Sequence, residues 1–123
     1  MKLTNIEMFN YLNILKEISN KVYGKLGYAV ARNIRKISEE NIEYEKIRLE
    51  CIYKYGTLNE NDTYVIKTDT EAYLNFVKDM EEISEISHEI DIYKVDVDTI
   101  IKSNLSAQEI FNIDFMIKEE EEK

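Results

Sequence analysis

A chain of 123 residues, 44% hydrophobic and 33% charged, can build one domain around one core and lies far from the composition of disordered chains. No stretch approaches the roughly 18 to 20 uninterrupted apolar residues of a membrane span, and the single cysteine, Cys51, excludes an internal disulfide. The net charge of −9 is unevenly divided: residues 1–36 carry seven Lys/Arg against Glu7 and Glu17, a net of +5, and residues 37–123 carry nine against 23 acidic side chains, a net of −14.

The opening MKLTNIEMFNYLNILKEI is broken by Asn10, Asn13, Lys16 and Glu17. It reads as neither signal peptide nor anchor, and a cytoplasmic location is expected. Thr4-Asn-Ile-Glu7 has the spacing of a capping box, in which the threonine hydroxyl and the glutamate carboxylate each accept from the other residue's amide. The helix it opens has Ile6, Phe9, Leu12, Ile18 and Val22 near one face and is predicted to run to about Asn20, stopping near Gly24 or Gly27. A second helix is predicted from Tyr28 to Tyr55, with Gly56 as its C-cap. Ala29, Val30, Ile34 and Ile37 form its first apolar stripe, and Ile42, Leu49 and Ile52 a displaced one. At 1.5 Å per residue it would be about 40 Å long, against a diameter of roughly 35 Å for a compact chain of this size. The helix must therefore bend, break near Ser38, or project.

Residues 57–62 read as a polar turn and Thr63 to Lys67 as a short strand. Thr68 or Asp69 then caps a third helix, about Thr70 to Ser87, with apolar Tyr73, Leu74, Phe76, Val77, Met80, Ile83 and Ile86. Ile90, Ile92 and Val95 suggest a second strand, and two strands flanking a helix can pair under its cover. Ser106-Ala-Gln-Glu109 is a second capping box, opening a last helix with Ile110, Ile113, Phe115 or Met116, and Ile117 inward. Glu119, Glu120, Glu121 and Glu122 oppose the dipole at its end, so the tail 119–123 is expected to fray. The fold class that follows is α+β, mainly α, in one domain over residues 1–123.

Three stretches, MKLTNIEMFNYLNILKEISNK, GYAVARNIRKISEENIEYEK followed by KYG, and LSAQEIFNIDFMIKEEEE, together resemble a family of small bacteriophage and prophage proteins known only as a domain of unknown function. The resemblance extends over essentially the whole chain and is weakest at residues 57–89. It implies a phage or prophage origin and a role inside an infected bacterium, and it transfers no catalytic residue. Many members have a proline near the start of the second helix, where this chain has Val22-Tyr-Gly-Lys-Leu-Gly27.

Glu85-Ile-Ser-His88, with Glu81 a turn earlier, has the spacing by which di-iron bundles present ligands. Those sites need two such motifs, and this chain has one histidine, so a solvated helix face is expected and no metal. Asp91, Asp96 and Asp98 read as the solvent side of an edge strand. A Cys51–His88 nucleophile pair would need the two to meet in space, which the sequence does not indicate. The phosphate-binding and hydrolase motifs are missing, so neither an enzyme nor a cofactor is expected.

The charged faces remain. Lys25, Arg32, Arg35 and Lys36, with Tyr23 and Tyr28 interleaved, resemble an anion or nucleic-acid patch; salt bridges to neighbouring glutamates or docking of the acidic tail are the rival readings. Glu39, Glu40 and Glu43 on the long helix, and Asp79, Glu82, Glu85 and Glu89 on and after the third, form acidic faces. Such faces are usually only solvating. In a phage protein they also suit a decoy for a basic nucleic-acid channel. The expected function is a non-enzymatic binding protein that engages a host protein complex, inhibiting an antiphage nuclease. A virion assembly factor and a nucleic-acid-binding regulator are the alternatives. A homodimer that covers Leu49 and Ile52 is compatible with all three.

Overall fold

The computed structural model describes residues 1–119, so residues 120–123, where the acidic tail was expected to fray, lie outside the described residues. The first capping box forms as predicted. The Glu7 amide donates to the Thr4 hydroxyl at 3.2 Å and the Thr4 amide to the Glu7 carboxylate at 2.9 Å. It opens helix α1, Asn5–Ile18. Directly before it, Lys2–Thr4 is a strand, β1, that the sequence reading absorbed into the helix cap.

Helix α2 runs Gly24–Glu40 and so starts four residues before Tyr28. Gly24 enters it at φ +59°, a conformation glycine adopts without steric cost. The predicted long helix is two helices, because α3, Ile42–Tyr55, begins after a break at Asn41. That break lies three residues beyond Ser38 and is fixed from outside the helix: the buried Asn41 carboxamide donates to the Asn5 carbonyl at 3.1 Å. Gly56 ends α3 in an extended conformation, φ −85° and ψ 166°, not the left-handed one. Its need is for space, since a Cβ there would lie 2.5 Å from the Ile52 carbonyl oxygen and 3.1 Å from that of Val65.

Thr57–Leu58 (β2) and Tyr64–Val65 (β3) then pair as a short antiparallel hairpin. Helix α4, Glu71–Ser84, is capped by Thr70 in place of Thr68 or Asp69. Strand β4, Ser87–Glu89, pairs antiparallel with β1, Leu3 opposite His88. Contrary to the expectation from sequence, the two strands flanking α4 do not pair with each other; each has a partner elsewhere. Ile90, Ile92 and Val95 are buried but form no strand, and only Val95 makes a parallel bridge, to Ile117. A short α5, Val97–Ile101, follows under an Asp96 cap. The second capping box opens α6, Ala107–Asn112, and a 3-10 turn at Asp114–Met116 completes what was read as one last helix.

The fold is α+β and mainly α, and its core joins the two ends of the chain. Leu3, Met8, Leu12, Leu15 and Ile18 meet Leu26, Ala29, Val30 and Ile37 of α2, closed by Ile90, Ile92, Val95, Ile100, Ile113 and Met116. Tyr11 stacks on Phe115 with ring centroids 4.1 Å apart. No residue between Ser38 and Glu89 belongs to this cluster. The middle of the chain is a separate layer, built by α3 packing on α4.

Candidate partner-binding surface

The α3–α4 hairpin buries little of its own. Tyr44 and Met80 are its buried residues. The Tyr44 hydroxyl lies 3.3 Å from the Ser84 hydroxyl, and the Tyr55 hydroxyl donates to Asp79 at 2.6 Å. Apolar side chains are left at its surface, among them Leu74 at 67% and Tyr53 at 62% exposure. Leu49, expected to need a cover, is exposed, and Ile52 is half-buried.

Of the seven carboxylates singled out in the sequence, four are engaged within the chain. Glu39 pairs with Arg35 at 3.5 Å, Glu40 lies 3.7 Å from His88 Nδ1, and Glu89 receives the N-terminal ammonium at 3.1 Å. Asp79 accepts from Tyr55 and lies 4.0 Å from Lys54 Nζ. The side chains of Glu43, Glu82 and Glu85 have no hydrogen-bond or ion-pair partner among the described residues, nor does that of Glu81. The acidic face is thus narrower than its composition, and concentrated on the C-terminal half of α4.

Beside those free carboxylates lies an apolar cleft of about 390 Å³ between α1, α3 and α4. Ile6 and Phe9 form its α1 wall, Phe76, Val77 and Met80 its α4 wall, and Tyr44 and Arg48 its α3 side, with Glu81, Ser84 and Glu85 at the rim. Arg48 sits over the Phe9 ring, 4.7 Å from its centroid. It donates twice to Glu45, at 2.9 and 2.8 Å, and that hydrogen bonding holds its guanidinium still more firmly charged. The sequence reading missed this cleft. It placed Ile6 and Phe9 in the inward stripe, whereas Met8 and Leu15 are the fully buried positions of α1. The available signal was α4, whose apolar residues are too many and too spread for a single buried face.

The basic patch is less free than its sequence implied. Lys36 donates to the Asp91 carbonyl at 2.7 Å and lies 3.7 Å from its carboxylate, while Arg35 is taken by Glu39. Arg32 lies 5.8 Å above the Tyr28 ring, which meets Tyr93 edge-on. Lys25 lines a polar cleft with Lys21 and Lys102, but Asp96 and Asp98 line it too. Hydrogen bonds from the Thr99 hydroxyl and amide, with Lys25 nearby, lower the pKa of Asp96.

Glu85 and His88 do not share a helix face. Glu85 caps the end of α4, and His88 is in β4, with Nε2 3.1 Å from the Asn5 carboxamide oxygen and Nδ1 facing Glu40. The ring therefore addresses Asn5 and Glu40, not Cys51, whose thiol pKa is raised by burial and then by the Asp79 charge. Among the described residues no cluster of three or more His, Cys, Asp or Glu is arranged to hold a metal ion. No helix there is long and apolar enough to cross a membrane.

Comparison with protein-family models, with curated proteins and with solved structures gives no match.

Proposed function

We propose that this chain is a non-enzymatic binding protein that engages a host protein complex through the acidic side of the α3–α4 hairpin. One observation carries the reading: the hairpin stands outside the core and keeps free carboxylates beside exposed apolar side chains. Residues 42–85 hold five Lys/Arg against eleven Asp/Glu, a net of −6. Such a surface raises the encounter rate with basic partners and loses that advantage in salt. The resemblance to phage proteins supplies the setting, an infected bacterium. There the nucleic-acid channel of an antiphage nuclease is a basic surface that carboxylates can occupy. That His88 addresses Asn5 and Glu40 supports binding over nucleophilic catalysis by a Cys51–His88 pair.

The test is an affinity pull-down from lysate of the bacterium that carries the gene, at low and high salt, with mass spectrometry of what is retained. A host protein held at low salt, released at high salt and lost with Glu43→Lys/Glu82→Lys is the expected result. Retention of virion proteins in its place, or of nothing at low salt, would overturn the reading.

A further inference from the structure

We infer that the cleft between α1, α3 and α4 is a socket for an apolar side chain carried on a basic amphipathic helix of the partner. This rests on the reading above and adds what the partner must present. The argument begins with what the cleft lacks. Inside the carboxylate rim its polar groups are already engaged: the Ser84 hydroxyl donates to the Met80 carbonyl at 2.8 Å and lies against the Tyr44 hydroxyl, and Arg48 is held by Glu45. No buried side-chain polar atom among the described residues is without a partner. A polar ligand would therefore find no unmet donor or acceptor at the floor. An apolar one would gain contact with Phe9, Phe76, Val77 and Met80, the last a flexible side chain that can shape itself to a guest.

The rim sets the sign of the guest's flanks. Glu81 and Glu85 edge the cleft and Glu82 adjoins them, all without an ion-pair partner among the described residues. Lys78, one turn back, pairs with none of them. The cation in the lining, Arg48, is paired with Glu45, which offsets its repulsion of an approaching Lys or Arg. A space of about 390 Å³ is at the small end of ligand pockets and suits the anchors of one or two helical turns laid in a groove. Exposed Val77 and Leu74 continue the apolar track along α4, as such a helix requires. A helix with an apolar stripe and flanking lysines meets both halves of this surface.

The probes are two synthetic helical peptides with the same leucine stripe, one with lysines and one with glutamates on the polar face. Each is titrated into the isotope-labelled full chain and followed by NMR. The lysine peptide is expected to bind, shifting Phe9, Phe76, Val77 and Met80, and the glutamate peptide is not. Val77→Asp and, separately, Glu81→Lys/Glu85→Lys should each weaken the lysine peptide at least tenfold, with circular dichroism showing that both variants stay folded. Equal binding of both peptides, shifts confined to another face, or self-association through the cleft would overturn the inference. So would retention of the host protein by Val77→Asp at the wild-type level, an outcome that leaves the acidic-surface reading standing.

Discussion

Asn33 clamps Tyr93 at two points: its carboxamide nitrogen donates to the Tyr93 carbonyl at 2.9 Å, and its oxygen accepts from the Tyr93 amide at 2.7 Å. A side chain buried in α2 thereby supplies at Tyr93 the pairing that a neighbouring strand would otherwise give, while Ile90 and Val95 on either side bond to the backbones of Met1 and Met116. Asn33→Ala leaves both Tyr93 groups unpartnered. The expected loss is about 2 kcal/mol, at 1–3 kcal/mol for a part-buried unmet polar group. Urea unfolding followed by circular dichroism checks it through a lower midpoint at unchanged slope. A midpoint equal to wild type would mean that the clamp contributes nothing.

Gly56→Ala places a methyl group against the Ile52 and Val65 carbonyls. The chain must move apart where α3 meets the β2–β3 hairpin, at a cost of about 1–3 kcal/mol. Because this contact lies outside the core, NMR should show shifts confined to residues near the hairpin. Changes reaching Leu15 or Ile37 would contradict that confinement.

The α3–α4 hairpin should open before the body does. With Tyr44 and Met80 as its buried residues, it has few apolar contacts to lose, which is the physical condition for low local stability. Amide hydrogen exchange is expected to be faster across α3 and α4 than in the middle of α1 and α2. Equal protection in all four helices would show that the hairpin is bound to the core more tightly than its burial implies.

Lys21 Nζ donates to Glu109 at 2.7 Å, and this bond, aided by the Ser106 amide, holds the Glu109 carboxyl below its usual range. The folded pKa lies under the unfolded one, so the pair's contribution is present above the ordinary carboxylate value. It is lost as pH falls through the lower folded value. The difference in Tm between wild type and Glu109→Gln should then be constant near neutrality and close below about pH 4.3. A difference that grows in acid would reverse the assigned sign.

What was legible in the sequence was local. The boxes at Thr4–Glu7 and Ser106–Glu109 involve residues three apart, and both form. A break near Ser38 was one of three alternatives that the helix's length left open, but its place at Asn41 was not legible, because that side chain answers to Asn5, 36 residues away. The run Ile90, Ile92, Val95 marked buried positions correctly and strand wrongly: apolar spacing says which side chains turn inward, while the hydrogen-bond partner of Tyr93 between them, Asn33, is another element's side chain. At the candidate surface, sequence identified the carboxylates but not which were neutralised. Glu39 loses its freedom to Arg35 one turn away, whereas Glu40 meets His88 across the chain, an ion pair only when that imidazole carries a proton. The apolar cleft needs α1, α3 and α4 brought together, and its one trace in the sequence is the surplus of apolar residues on α4.

The body draws on both ends of the chain, with Leu3 opposite His88 and the Val95 amide bonded to the Met116 carbonyl. During synthesis α1 and α2 emerge before the segments that close over them, and their shared apolar face is not fully covered until Ile113 and Met116 have left the ribosome. The α3–α4 hairpin, whose contacts are nearer in sequence, can form in that interval, whereas the body must wait for its distant pairings. A nascent chain stalled before Ile113 would display the sticky faces of two helices, which is the condition that recruits chaperones and proteases.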